Sequence, residues 1–353
     1  MNKQIIYFLL IVFLSLTTIS NAQNSDKSEY NKSISGLFDE QTMLPLKLNY
    51  SNKELKKETN DSTYIASELS YQNADSTWTS LNIDLRARGN FRRANCYFVP
   101  VKISIKKKNS KNTKFEGHKK LKLVVPCVLE KDRNDNVIKE YIAYKLYEQI
   151  SPYHFNTRLV NIELTEKRGK KEKNHIIKGF LIEDDKKIAK HFDGKIVERP
   201  IHPIAQEELN SIRCEFFQFM IGNLDFSNFK QHNAKLVYID KKIYPIPYDF
   251  DMSGLVNTSY AVVPEALSAK SSKMTSVTHR MYRGFKRNPE LIQQVRKEYI
   301  DNKSNMLQIF IDLRPHFESE NEYETAKEYI ESFFKIIINE SEFEAKILNR
   351  LRG

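Results

Sequence analysis

Residues 223–254, NLDFSNFKQHNAKLVYIDKKIYPIPYDFDMSG, constrain this chain more than any other stretch. A strongly apolar segment over 212–224 gives out at Gly222 and Asn223, and a polar loop carrying Asp225, His232 and Asn233 follows. Residues 235–239 read as a short strand, Asp240-Lys241 as a turn, and 242–248 as the returning strand. The return ends directly on Asp249-Phe250-Asp251, with Gly254 just beyond. An acid, an amide, a hairpin and a second acid thus follow in a fixed order.

The chain opens MNKQIIYFLLIVFLSLTTISNAQ, with one lysine, an apolar core over 5–18 and small residues at Ser20 and Ala22. This is the pattern of a secretory signal peptide over 1–22, cut after Ala22. The alternative is an uncleaved anchor, since the apolar run just reaches spanning length. The expected mature protein is secreted, periplasmic or held at the cell surface, with no transmembrane segment after cleavage. Net charge is +11, much of it in runs such as Lys106-Lys107-Lys108 and 167–173. No aromatic or arginine ladder accompanies these runs, so they read as solvated hairpin tips and no nucleic-acid partner is expected. Their long-range field still favours acidic partners. Of the three cysteines, Cys96 and Cys127 lie in loop-like contexts beside strands and are the expected disulfide pair. Cys214 falls inside an apolar helix, as a buried free thiol.

Residues 23–36 are polar and read as a flexible leader. Residues 37–185 then read as a strand-rich lobe. In 81–88 the apolar set is Leu81, Ile83, Leu85 and Ala87, which puts Arg86 and Arg88 on the opposite face. The same alternation puts Lys102 opposite Val101 and Ile103, and Lys122 opposite Leu121 and Leu123. One helix is expected over 136–150, capped by Asp135 or Asn136, with Glu140 in its first turn and exposed by phase. From 186 to 353 the character is mainly helical, with helices over 207–224, 289–311 and 323–351, and Pro289 suits a first helical position.

Phosphoryl transfer asks a protein for in-line positioning and for positive charge on the phosphates. Magnesium takes one or two carboxylates, with phosphate and water oxygens completing its shell. Asp249 at a strand end suits a metal ligand, Asn233 a neutral second ligand, and Asp225 the base that orients a hydroxyl. Each residue alone is equally a turn former; the ordered set is what points to this chemistry. Asp251 reads as a second metal ligand or a turn cap, and His232 as a phosphate contact or a loop histidine satisfied by backbone.

The segments ARGNFRRANCYFVPVKISIKK, KLKLVV, KEYIAYKLYEQI, KGFLIEDD, GNLDFSNFKQHN and PIPYDFDMSG resemble the spore coat protein H (CotH) family of atypical secreted bacterial kinases. The likeness spans roughly residues 80–260. It implies an α+β, two-lobed protein-kinase-like fold, with an antiparallel-sheet N-lobe carrying one helix and a mainly helical C-lobe. It further implies ATP and Mg (or Mn) as cofactors, and transfer of phosphate to a protein or glycan hydroxyl. On this resemblance Lys102 reaches the nucleotide phosphates, with Lys122 as runner-up, and Glu140 pairs with that lysine. Glu183 sits beside adenine at the hinge, and Arg88 binds phosphate or pairs with an acid. Tyr248 stands where the family has Trp, and no glycine-rich phosphate loop is present. These departures keep a second reading open, an inactive pseudokinase serving as a surface or matrix binding module. A metal-dependent hydrolase built on Asp249 and Asp251 lacks the expected histidine ligands.

Overall fold

The computed structural model describes residues 36–130, 133–267 and 274–353. The signal-peptide and leader segments therefore lie outside the described residues, apart from Gly36. Seven strands follow the alternation read from the sequence: β1 (Leu44–Tyr50), β2 (Ile65–Gln72), β3 (Trp78–Ala87), β4 (Val101–Ser104), β5 (Lys120–Val124), β6 (Thr157–Arg168) and β7 (Lys171–Glu183). Their inward residues, among them Leu46, Leu81, Ile83, Leu85, Val101, Ile103 and Leu123, form one buried cluster. Each such side chain contributes roughly 1.5–3 kcal/mol of burial free energy.

These strands close into a barrel in the order β1-β2-β3-β4-β5-β7-β6. Neighbours are antiparallel except at the closure, where β1 runs parallel to β6 from Leu44↔Val160 to Tyr50↔Glu166. This overturns the expected two-lobed kinase-like fold with its antiparallel sheet. An open sheet would leave β1 and β6 as edges with unpaired backbone groups; pairing them with each other removes both edges.

Helix α1 (Asn52–Glu58) and the short α2 (Asn90–Asn95) lie in the connections between barrel strands. The expected single helix of this half is α3 (Arg133–Glu148). It is not an appendage of the sheet. Ile138, Tyr141 and Ile142 share one core with Phe216, Phe217, Phe310 and Ile330 from the C-terminal part, so helix and C-terminal elements pack as a unit. After β7 come α4 (Asp185–His191), β8 (Lys195–Val197), α5 (Glu208–Met220) and the hairpin β9 (Ala234–Ile239) and β10 (Lys242–Pro247). The last two join β8 in a three-stranded antiparallel sheet.

Four helices complete the chain: α6 (Pro289–Asp301), α7 (Lys303–Leu313), α8 (Glu320–Ile338) and α9 (Glu340–Lys346). Pro289 occupies the first turn of α6 behind an Asn288 cap, as expected. The long helix expected over 289–311 is broken at Asn302, and the one expected over 323–351 is broken at Asn339 and gives way after Lys346 to a 3-10 turn, Leu348–Arg350. Asn339 accepts from the Glu342 backbone N–H and so restarts the chain as a new helix. Among the described residues no helix is long and apolar enough to cross a membrane.

Cys96, which ends α2, is bonded to Cys127 in the loop after β5, with Cα atoms 4.5 Å apart, and Cys214 is buried and free, as expected. The bond closes a separation of 31 residues. Replacing both cysteines by serine should lower unfolding free energy by roughly 2–4 kcal/mol from the lost loop constraint. Urea denaturation of oxidised wild type and the double variant checks this, and equal midpoints would contradict it.

Candidate functional site

The hairpin determines what meets at its open end. The register Pro247↔Ala234 is continued by the Tyr248 N–H donating to the Asn233 carbonyl at 3.1 Å. Asn233 and Asp249, sixteen positions apart, therefore emerge side by side. Asn233 then reaches back: its Nδ2 donates to the Asp225 carbonyl at 2.7 Å and to Asp225 Oδ2 at 3.0 Å. His232 Nε2 lies 2.9 Å from the other carboxylate oxygen, Oδ1. Asp225, Asn233 and Asp249 thus gather at one end of the hairpin. Asp225 is held by two side chains while keeping a third of its own surface open.

Backbone strain sits at the same place. Gln231, Asn233 and Asp249 adopt φ of 53°, 52° and 63°. This left-handed region disfavours non-glycine residues, and such strain persists where surroundings over-determine it. At Asp249 the restraint is visible: its N–H donates to the Tyr144 hydroxyl of α3 at 2.9 Å.

A residue that sequence reasoning passed over lies at the centre of the acidic side. Arg92 on α2 is buried and gathers three carboxylates. Its Nε donates to Asp251 Oδ2 at 2.8 Å, and its Nη2 lies 3.1 Å from Glu140 Oε2 and 3.4 Å from Asp249 Oδ1. Burial opposes the charge of Arg92, but Asp251, Glu140 and Asp249 together hold its pKa well above the ordinary value. Burial pushes Glu140 up to about 7 against the pull of Arg92, with Asp251 and Asp249 adding to the rise. Burial also raises Asp251 to about 6, opposed by Arg92 and reinforced by Asp249. Asp249 goes the other way: burial works against its charge, yet Arg92, Arg88 and Lys122 outweigh it and hold the carboxyl below its usual range. The charged acid is the one that faces outward, since Asp249 keeps 30 % of its side chain exposed against 7 % for Asp251.

Several expected roles change. Glu140 is buried rather than exposed, and its partner is Arg92 rather than Lys102 or Lys122. Asp251 is held closely by Arg92 and is nearly closed off, whereas Asp249 lies farther from Arg92, at 3.4 Å, and stays part-exposed, so Asp249 with Asn233 is better placed to meet a cation. Glu183 is buried; its carboxylate accepts from the Asn156 N–H at 2.7 Å and lies 2.7 Å from His191 Nε2, so it is not offered to a ligand. Lys102 lies 3.7 Å from Asp184. Lys122 is buried, ion-paired to Asp185 and set over the rings of Phe155 and Tyr248 at 4.8 and 4.9 Å. Burial lowers its pKa, with Asp185 opposing. Arg88 is half-buried, and its charge acts on both Asp249 and Lys122. Phe250 is buried in the core, and Tyr248 is half-buried.

Beside the hairpin end lies a cavity of about 780 Å³. Lys102, Asp184 and Asp185 come from the barrel side, and Lys230, Gln231 and Lys235 from the loop and strand that carry Asn233. Among the described residues no group of three or more His, Cys, Asp and Glu side chains could hold a metal unaided. Asp249 and Asn233 fit the lighter demand of magnesium, which takes one or two protein ligands and the rest from phosphate and water. Comparison with known families and with characterised proteins finds no match for this chain.

Arg92→Ala would leave Glu140 and Asp251 buried without their cation. The expected cost is roughly 3–5 kcal/mol at pH 8. Both acids have folded pKa values raised above their unfolded ones, so the folded state binds the extra protons and stability is favoured below that window and lost as pH rises through it. The deficit of the variant should therefore shrink as pH falls from 8 to 5. Denaturation curves at the two pH values check this; a pH-independent deficit would contradict it.

Proposed function

We propose that this chain is an extracytoplasmic phosphotransferase, moving a phosphoryl group from ATP with Mg (or Mn) to a protein or glycan hydroxyl, and that its likeness to the spore coat protein H kinases lies in the site segments rather than in the whole fold. One observation carries the reading. Asn233 fixes Asp225 at the hairpin end that also presents the ionised Asp249, next to a cavity with Lys102 and Lys235 in its wall.

Each residue then has a role set by its geometry. Asp225, half-open and steered by Asn233 and His232, accepts the proton of the attacking hydroxyl. Asp249 and Asn233 would hold the metal, which when bound offsets charge on the phosphates. Lys102, Lys235 and Arg88 supply further positive charge from the walls. Arg92 holds Glu140 and Asp251 closely and Asp249 at the longer 3.4 Å, so Asp249 is the acid of the three that stays part-exposed.

A second reading has its own observation. With Asp251 bonded to Arg92, one carboxylate remains for a metal, which suits a pseudokinase that binds nucleotide without transfer.

The test is incubation of the mature protein with γ-labelled ATP and Mg or Mn, followed for self-labelling and for transfer to added protein and glycan acceptors. Asp225→Asn should lose transfer by about 10²–10⁴-fold and keep nucleotide binding. Asp249→Asn should lose metal-dependent nucleotide binding itself. Binding without label in the wild type would favour the pseudokinase, and unchanged metal–ATP binding in Asp249→Asn would refute the ligand assignment.

A further inference from the structure

We infer that the phosphate source for this site is a linear inorganic polyphosphate, with the triphosphate of ATP a short member of the class that the same cavity accepts. The inference rests on the phosphotransfer reading and names its donor more narrowly.

The cavity beside the hairpin end is lined by eight lysines and three carboxylates. Two of those lysines have carboxylate partners, Lys102 with Asp184 at 3.7 Å and Lys235 at 3.4 Å with Asp185, which Lys122 shares. The other six, Lys119, Lys120, Lys186, Lys187, Lys190 and Lys230, form no ion pair among the described residues. They come from three separate places: the start of β5, helix α4 and the loop before β9. Separate elements have thus brought like charges around one concave space, where they repel each other unless an anion enters. A chain with a charge on every phosphate brings more negative charge to six lysines around a cavity of about 780 Å³ than a triphosphate does.

The lining also lacks what a purine requires. Among the described residues Ile196 and Pro200 supply its apolar side chains, and no aromatic ring lines it. Pockets for flat organic ligands are mostly apolar and aromatic. Glu183, the residue expected beside adenine, has its carboxylate tied to Asn156 and His191. Lys230 and Gln231 of the lining belong to the loop that runs on into His232 and Asn233, the two residues that hold Asp225, so the lysine-lined wall leads in the chain to the proposed base.

The step balances as a displacement. The acceptor oxygen forms a bond to the terminal phosphorus, and the bridging P–O bond to the next phosphate breaks. The shortened chain leaves with the bonding pair, and Asp225 takes the hydroxyl proton.

The experiment measures binding of a fluorescently end-labelled linear polyphosphate to the mature protein at physiological salt, with ATP and heparin as competitors. Transfer from ³²P-polyphosphate is followed in parallel with transfer from γ-labelled ATP. The double variant Lys186→Glu/Lys190→Glu should weaken polyphosphate binding by roughly tenfold or more, because reversed charges now face the anion. The control Lys171→Glu/Lys173→Glu, at the distant tip joining β6 and β7, should not. Polyphosphate should bind more tightly than ATP and should label the protein. Tighter binding of ATP, equal losses in both double variants, or displacement by heparin at matching concentration would overturn the inference. Labelling from ATP alone would overturn it while sparing the phosphotransfer reading. Cavity-specific polyphosphate binding with no label from either donor would refute the transfer reading and, with it, the donor role inferred here.

Discussion

Everything at the acidic side of this site depends on one buried cation. Three carboxylates, Glu140, Asp249 and Asp251, crowd into a largely dry region, where ions of one sign cannot coexist without compensation. The Arg92 guanidinium supplies that compensation through a planar set of donors that a lysine could not match. It reaches them because α2 begins just after β3 leaves the barrel, and the far end of α2 is tied by Cys96 to the loop after β5. Barrel, short helix and disulfide together position one side chain.

That placement divides the acids by role. The same cluster holds one carboxyl ionised and two raised toward neutral pH, as happens where titratable groups sit in differing environments. Asp249 retains its charge because Arg88 and Lys122 act on it as well as Arg92. The Tyr144 hydroxyl holds its backbone in the left-handed conformation that turns it from the strand. A metal of the kind proposed would meet a single charged oxygen donor there, which suits an ion that brings phosphate and water ligands with it.

The legible parts of the sequence were the local ones. Alternation in 81–88 and 101–105 placed Leu85, Ala87, Val101 and Ile103 in the core, where they lie. The hairpin and its flanking Asp225, Asn233 and Asp249 followed from turn chemistry. Barrel closure was not legible, because the parallel pairing of Leu44 with Val160 leaves no local mark in either strand. Glu140 was misread through phase. Helix α3 has 13 of its 16 residues buried, so its polar side faces other protein instead of water. Arg92 was hidden inside the run RGNFRRAN. A six-residue helix has too little periodicity to say which of two adjacent arginines turns inward. The burial of Lys122 was hidden for a related reason: strand alternation gives only a face, and Phe155 and Tyr248 cover that face from distant segments.

The central claim is that Arg92 organises three nearby acids into one ionised and two raised carboxyls. Carboxyl ¹³C NMR of the protein, titrated from pH 3 to 9 with Glu140, Asp249 and Asp251 assigned through single amide variants, measures this directly. The account predicts Glu140 titrating near 7, Asp251 near 6, and Asp249 below the ordinary carboxylate range. Three carboxyls titrating together in the ordinary range for exposed acids would contradict it.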